Sequence, residues 1–196
     1  MIRVPVPVVL ASSSPTRRGL LATLVQHFDV VAPSLNEAAV KGDHASALAL
    51  RLAEAKAREG GRQRPDALII AADTLVLCEN EIIGKPADFS DAVRILEKLT
   101  RTRHKVLTAL FLIAPDARER SRCVESSVRM RRMSRREIEE YLARRGGLDK
   151  AGAYALMPND PYVERVEGSM TGVMGLPLEE LAEMIQSLYP ESGEST

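Results

Sequence analysis

The run Ala67 to Leu77 constrains this chain more than any other stretch. Ala67 to Ala72 is wholly apolar, which reads as a fully buried strand. Asp73 and Thr74 interrupt it, and Leu75 to Leu77 resume the extended pattern. The run is too short to cross a bilayer and contains a carboxylate. A strand of this kind needs packed layers around it, so an α/β architecture is expected. Asp73, placed at the end of the apolar strand, has two readings. It is an acid that takes a proton from water or holds a divalent metal, where open α/β sheets put their chemistry. Alternatively it caps the next turn.

The segments around this strand support the same class. Val6 to Ala11 is a β-branched run that ends in Ser12-Ser13-Ser14-Pro15. This pattern predicts strand, turn and helix, with Ser14 as N-cap and Pro15 in the first turn. Leu20, Leu21, Leu24 and Val25 supply that helix with an apolar face. Phe28 to Val31 reads as a strand, and Ala45 to Glu59 as a helix with Leu48, Leu52 and Ala55 on one side. Glu79 to Glu81 is expected to turn a hairpin into Ile82-Ile83. A helix follows over Phe89 to Leu99, capped by Ser90. Lys105 to Ala114 and Cys123 to Met130 are expected to pair around a turn at Asp116. Ser134 and Glu137 have capping-box spacing at the start of a helix to Arg144. Tyr162 to Val166 completes the strands and Leu178 to Leu188 the helices. The expected fold is a mixed-sheet α/β protein, one domain over 1–190, with a second lobe around residues 85–150 and a polar tail at 191–196.

Composition excludes several classes. Lys plus Arg and Asp plus Glu both number 27, so the formal net charge is zero and a globally basic nucleic-acid binder is disfavoured. Aromatics are 4% with no Trp, which leaves little for base stacking on single strands. Cys78 and Cys123 make no disulfide framework, and a reducing, cytoplasmic setting fits them. The N-terminus lacks the pattern of a signal peptide, and no membrane association is expected. His27, His44 and His104 are scattered, which disfavours zinc. Neither a nucleophile elbow nor a glycine-rich nucleotide motif is present.

Other groups remain as candidates. Ser12, Ser14, Arg17 and Arg18 lie at a strand-to-helix junction, where free N–H groups, hydroxyls and guanidinium groups suit a phosphate. An ordinary serine cap beside surface arginines explains them equally well. Glu37, Lys56 and Lys85 form a third set. Lysines serve as point charges for phosphate, but a lone lysine is more often a solvated surface residue. Arg129, Arg131, Arg132, Arg135 and Arg136 suggest either a nucleic-acid patch or, better, a solvated strand edge guarded by charge.

Seven short stretches occur together in order. They are Leu10 to Arg18, Arg51 to Ala57, Ala72-Asp73-Thr74, Gly84-Lys85-Pro86, His104 to Thr108, Asp149 to Tyr154 and Val173 to Pro177. The ordered set resembles the Maf family of nucleoside triphosphate pyrophosphatases. That resemblance implies an elongated mixed sheet flanked by helices, with a cleft between two lobes. It implies cleavage between the α and β phosphates, giving a nucleoside monophosphate and pyrophosphate, with a divalent cation (Mg, Mn or Co). By position it implies Asp73 as the catalytic carboxylate and Glu37 as a second acid. These two would hold metal, while Lys56 and Lys85 would act in catalysis. Ser12, Ser14 and Arg17 would handle phosphate.

Thr16, Thr74 and Met157 stand where the family's substrate groups differ. Thr74 matches the dTTP/UTP group, whereas Thr16 and Met157 match neither that group nor the 7-methyl-GTP group. A pyrimidine or modified pyrimidine triphosphate is the expected substrate. The alternatives are a 7-methyl-GTP pyrophosphatase and a nucleotide-binding regulator of cell division with little turnover. A homodimer fits an enzyme of this size.

Overall fold

The protein is described here by a computed structural model covering residues 1–157 and 160–190. The polar tail expected at 191–196 lies outside the described residues. No helix among the described residues is long and apolar enough to cross a membrane.

The elements run β1 (Val8–Ala11), α1 (Pro15–Leu24), β2 (Asp29–Val31), α2 (Ala45–Gln63), β3 (Leu68–Cys78), β4 (Glu81–Ile83), α3 (Phe89–Leu99), β5 (Arg103–Ile113), β6 (Glu119–Met130), α4 (Arg135–Arg145), β7 (Val163–Glu167), α5 (Met170–Val173) and α6 (Leu178–Leu188). Short 3-10 turns occupy Glu37–Ala39 and Ala151–Ala153. The strands form one mixed seven-stranded sheet in the order β2-β1-β3-β5-β6-β7, with β4 also paired to β3. β1 runs parallel to β2 and β3; the remaining pairs are antiparallel.

Several local expectations hold. Ser14 caps α1, Ser134 and Glu137 form a capping box on α4, and α6 spans Leu178–Leu188. Glu79 and Asn80 both have positive φ and turn β3 into β4, as a tight hairpin requires. The cap of α3 is a correction. Asp88, not Ser90, accepts the Asp91 N–H, since its extended backbone places the carboxylate over the open first turn.

The central correction concerns β3. Asp73 does not end a strand but lies in the middle of one that continues to Cys78. The reason is β5, which pairs with β3 antiparallel from Ile69 to Leu77 and keeps the ladder intact through the polar residues. On its other edge β3 is paired only at the two ends. β1 covers Leu68 to Ile70 and β4 covers Val76 to Cys78. Residues 71–75 thus border a notch in the sheet.

Alternation along β3 sends its side chains to two faces. Ile69 and Ala71 pack with Val9, Ala109 and the α2 residues Ala49, Ala53 and Ala57. Ile70 and Ala72 pack with Leu10, Leu21 of α1 and Leu181 and Ile185 of α6. A third cluster joins the far end of the sheet, through Val76, Val106 and Val128, to α3 and α4. The buried stripe of α2 is Ala49, Leu52, Ala53, Lys56, Ala57 and Gly60, rotated from the expected Leu48, Leu52 and Ala55 face. Small residues bring this helix close to the sheet. A Cβ on Gly60 would stand 2.9 Å from Ala11 Cβ.

Candidate active site

A cavity of about 610 Å³ opens at the notch beside β3. It is lined by Ser12, Ser14, Thr16, Arg17, Glu37, Lys56, Asp73, Thr74 and Lys85, together with Asp149, Lys150, Tyr154 and the Val173–Gly175 turn. Nine of the ten positions implied by the family resemblance therefore meet in one place. Met157 is the exception: it is half exposed and does not line the cavity. Its sequence neighbour Pro158 lies outside the described residues. Arg18 does not line the cavity either.

Asp73 and Thr74 are successive strand residues and face opposite sides of the sheet, which divides the cavity into two chemical halves. On the α2 side the buried Asp73 carboxylate accepts a hydrogen bond from Lys56 Nζ at 2.5 Å. The same ammonium contacts Glu37 at 2.7 Å. Lys56 is not the solvated lysine expected from residue statistics. It falls on the apolar stripe of α2, one turn after Leu52, and that spacing was the signal in the sequence. Glu37 reaches Lys56 from the first position of a 3-10 turn and stays half exposed.

Burial raises the pKa of Asp73 despite the opposing charges of Lys56 and Arg17. Glu37 moves the other way. Partial burial disfavours its charge, but Lys56 by hydrogen bond and charge, with Lys85 and Arg17, holds its pKa below the usual value. Glu37 and Asp73 are two oxygen-donor acids sharing one cation, the ligand type that hard divalent ions use alongside substrate phosphates. Among the described residues no group of three or more His, Cys, Asp or Glu side chains converges to form a complete cage.

On the α1 side the chain leaves β1 into Ser12, whose buried hydroxyl accepts the Ser14 N–H at 3.2 Å. Ser14 accepts the Arg17 N–H at 3.3 Å and starts the helix. This geometry points the Arg17 side chain across the sheet end. Its Nε–H donates to the Gly175 carbonyl at 2.8 Å, and its terminal nitrogens donate to Ser12 Oγ at 3.4 Å and Thr74 Oγ1 at 3.0 Å. Gly175 has φ +107°, and a Cβ there would stand 3.3 Å from Arg17 Nε. A bare glycine permits both this turn and the close approach. Burial lowers the Arg17 pKa, while Asp73 and Glu37 oppose the shift. The guanidinium keeps its charge.

Lys85 and Tyr154 close the far wall. The Gly152 N–H donates to the Gly84 carbonyl at 3.1 Å, tying the Lys85 turn to the Ala151–Ala153 segment. Tyr154 is held from behind by His104, whose Nε2 lies 2.8 Å from the phenol oxygen. Burial lowers the His104 pKa to about 4, outweighing the Leu99 backbone, so the ring is neutral at pH 7. His104, Thr108 and Gly175 fall within the family-like stretches, yet nothing local in the sequence marks their contacts.

The arginine-rich stretch is elsewhere and otherwise occupied. Arg129 pairs with Glu164, Arg131 with Glu137, Arg135 with Glu139 and Arg136 with Glu140. β6 is not an edge at this point, because β7 pairs with it from Ser127 to Met130. The charge-guarded edge is thereby corrected to ion pairs spread over a covered strand, through Arg129, and over the segment leading into α4 and its first turn, through Arg131, Arg135 and Arg136. Arg132 is in no ion pair among the described residues.

Residues 7–188 match the family described as Maf-like protein. The chain belongs to the Maf-like protein family. It is 40% identical over 184 residues to a protein named dTTP/UTP pyrophosphatase from Geobacter metallireducens, covering 92% of this chain and 95% of that one. A protein of the same name from Vibrio parahaemolyticus is 37% identical over 180 residues, covering 91% and 95%. Among solved structures, a HAM1 protein from Coxiella burnetii superposes with TM-score 0.53 at 14% identity, covering 93% of this chain and 99% of that one. At that identity the likeness concerns the fold alone, and it agrees with a mixed sheet flanked by helices.

Proposed function

We propose that this Maf-like protein is a nucleoside triphosphate pyrophosphatase that acts on dTTP and UTP. The observation that carries this reading is the pairing of a buried carboxylate with several cations in one cavity. Asp73 lies on one side of β3 in contact with Lys56, and Arg17 and Lys85 line the same cavity. The names of the relatives support the substrate class, and Thr74 is the residue expected for it.

A triphosphate resists attack by water because its oxygens repel the incoming electron pair. Cations that neutralise the phosphates lower that barrier. In this cavity Arg17, Lys56 and Lys85 supply positive charge, and the Ser12–Ser14 turn opens α1 at the place where an anion is welcome. Asp73 orients a water molecule and takes its proton as the water oxygen bonds to the α-phosphorus. The bond from that phosphorus to the α-β bridging oxygen breaks, and pyrophosphate leaves with the electron pair. Burial raises the proton affinity of Asp73, which suits a base. A Mg, Mn or Co ion fits the oxygen-donor pair Glu37 and Asp73, and when bound it would supply further charge neutralisation at the phosphates.

The test is a screen of nucleoside triphosphates, 7-methyl-GTP included, with magnesium, manganese or cobalt and detection of pyrophosphate. Turnover of dTTP and UTP above the other nucleotides is expected. Selective turnover of 7-methyl-GTP, or tight binding of every nucleotide without pyrophosphate release, would overturn the reading.

A further inference from the structure

Thr108 is 1% exposed and does not line the cavity, yet it stands one residue behind Arg17. Its hydroxyl lies 2.7 Å from the Gly172 carbonyl. A carbonyl oxygen can only accept, so this contact uses the single Thr108 proton. In its 3.0 Å contact with Thr74 Oγ1, Thr108 must therefore accept, and Thr74 must donate. Thr74 in turn accepts from an Arg17 terminal nitrogen at 3.0 Å. The bonds run in one direction, from Arg17 to Thr74 to Thr108 to Gly172. Register makes the middle step automatic, since Thr74 and Thr108 are direct cross-strand partners of β3 and β5.

We propose that Thr108 is a positioning residue, which sets the Arg17 guanidinium for a substrate phosphate by acting through Thr74. Arg17 carries five N–H groups. The bonds to Gly175, Ser12 and Thr74 occupy one on Nε and one on each terminal nitrogen. Each terminal nitrogen thus keeps one N–H with no partner among the described residues. Two such groups form a fork that matches a pair of phosphate oxygens. Without the Thr108 hydroxyl, the Thr74 proton loses its acceptor and is free to turn toward Arg17, setting donor against donor. A second consequence concerns Thr74 itself. Its proton is committed, so toward a ligand it can accept but not donate.

This inference rests on the triphosphate reading above, and the experiment separates the two. Binding of a non-hydrolysable α,β-imido analogue of dTTP is measured by calorimetry with magnesium, beside thermal melting of each variant. Thr108→Val is expected to bind about tenfold more weakly than wild type, the cost of losing one hydrogen bond to a charged network. Thr108→Ser, which keeps the hydroxyl, is expected to stay within about twofold of wild type by the same argument. In an Arg17→Ala background, adding Thr108→Val should change the affinity no further, because the two act in series. Thr108→Ala cuts the same relay with a smaller side chain and carries the same expectation should the valine variant fail to fold. Wild-type affinity in both the valine and alanine variants, or an equal loss with and without Arg17, would overturn the relay alone. No binding by the wild type would overturn the triphosphate reading and the relay with it.

Discussion

Two regions of this molecule concentrate charge. In the stretch from Arg129 to Arg136, four of the five guanidinium groups each meet one carboxylate on solvent-facing side chains, and Arg132 has no ion pair among the described residues. In the cleft, one ammonium, that of Lys56, serves two carboxylates, and Asp73 is almost fully buried. Arg17 is held there by hydroxyls and a carbonyl, not by an ion pair. The surface stretch is neutralised pair by pair except at Arg132 and keeps little charge for a ligand. The cleft orients its arginine with neutral acceptors and so leaves the positive charge available. Charge density along the sequence is thus a poor guide to chemistry, whereas burial and the nature of each partner decide it.

The comparison can be broken at either region, and the largest effect is expected at Lys56. Lys56→Met leaves Asp73 buried without its closest cation. A stability loss of about 3 kcal/mol by urea denaturation is expected, with turnover reduced at least as far as stability. The stability loss should shrink when Asp73→Asn is added, because no buried charge is then left unpaired. A surface-like lysine would show neither effect.

Asp73→Asn alone should lower turnover by on the order of a hundredfold or more. Its melting temperature at neutral pH should not fall, since burial disfavours the charge that asparagine removes. Pyrophosphate release and a thermal melt read the two quantities. Near wild-type turnover would remove Asp73 from the mechanism.

The wall of the cleft offers a pH test. His104 titrates near 4 in the folded protein against an ordinary 6.5, because burial disfavours its charged form. Below 6.5 the unfolded chain takes up a proton that the folded chain does not. The folded state is therefore fully favoured above that value and loses ground as pH falls toward 4. A loss of about 2 kcal/mol is expected between pH 7 and pH 4.5, to be read from urea midpoints. His104→Gln should flatten that dependence. An unchanged pH profile in the variant would assign the acid sensitivity elsewhere.

The smallest effect belongs to the surface. Arg136→Ala breaks an exposed i,i+4 pair with Glu140 and should cost about 0.3–0.5 kcal/mol, with turnover unchanged. Nucleotide turnover that fell with Arg136 would erase the distinction between the two regions.

Much of the fold was legible because its signals are local. The Ser14–Pro15 start of α1, the Ser134–Glu137 capping box and the Glu79–Asn80 turn each depend on residues within one turn of each other. The site was legible as a set of positions through the family-like stretches, and less so through the residues themselves. The Asp88 cap was missed because Asp88 and Ser90, two residues apart, are both favoured cap types, and the apolar pattern alone does not fix which of them opens the helix. The burial of Lys56 was missed because the expected apolar face ran through Leu48, Leu52 and Ala55, and lysines are by habit exposed.

By itself the sequence determined where helices start, where strands alternate and which residue types were on hand to bind a phosphate. These are matters of backbone propensity and of partners a few residues apart. Tertiary structure alone decided that β3 continues through Asp73, because the ladder that carries it is supplied by β5 from more than thirty residues downstream. It also decided which way the Arg17 charge faces, because its anchors come from Gly175, at a separation of 158 residues, and from Thr74. A hydrogen bond across such a distance depends on how layers pack, and no short window of sequence contains both of its ends.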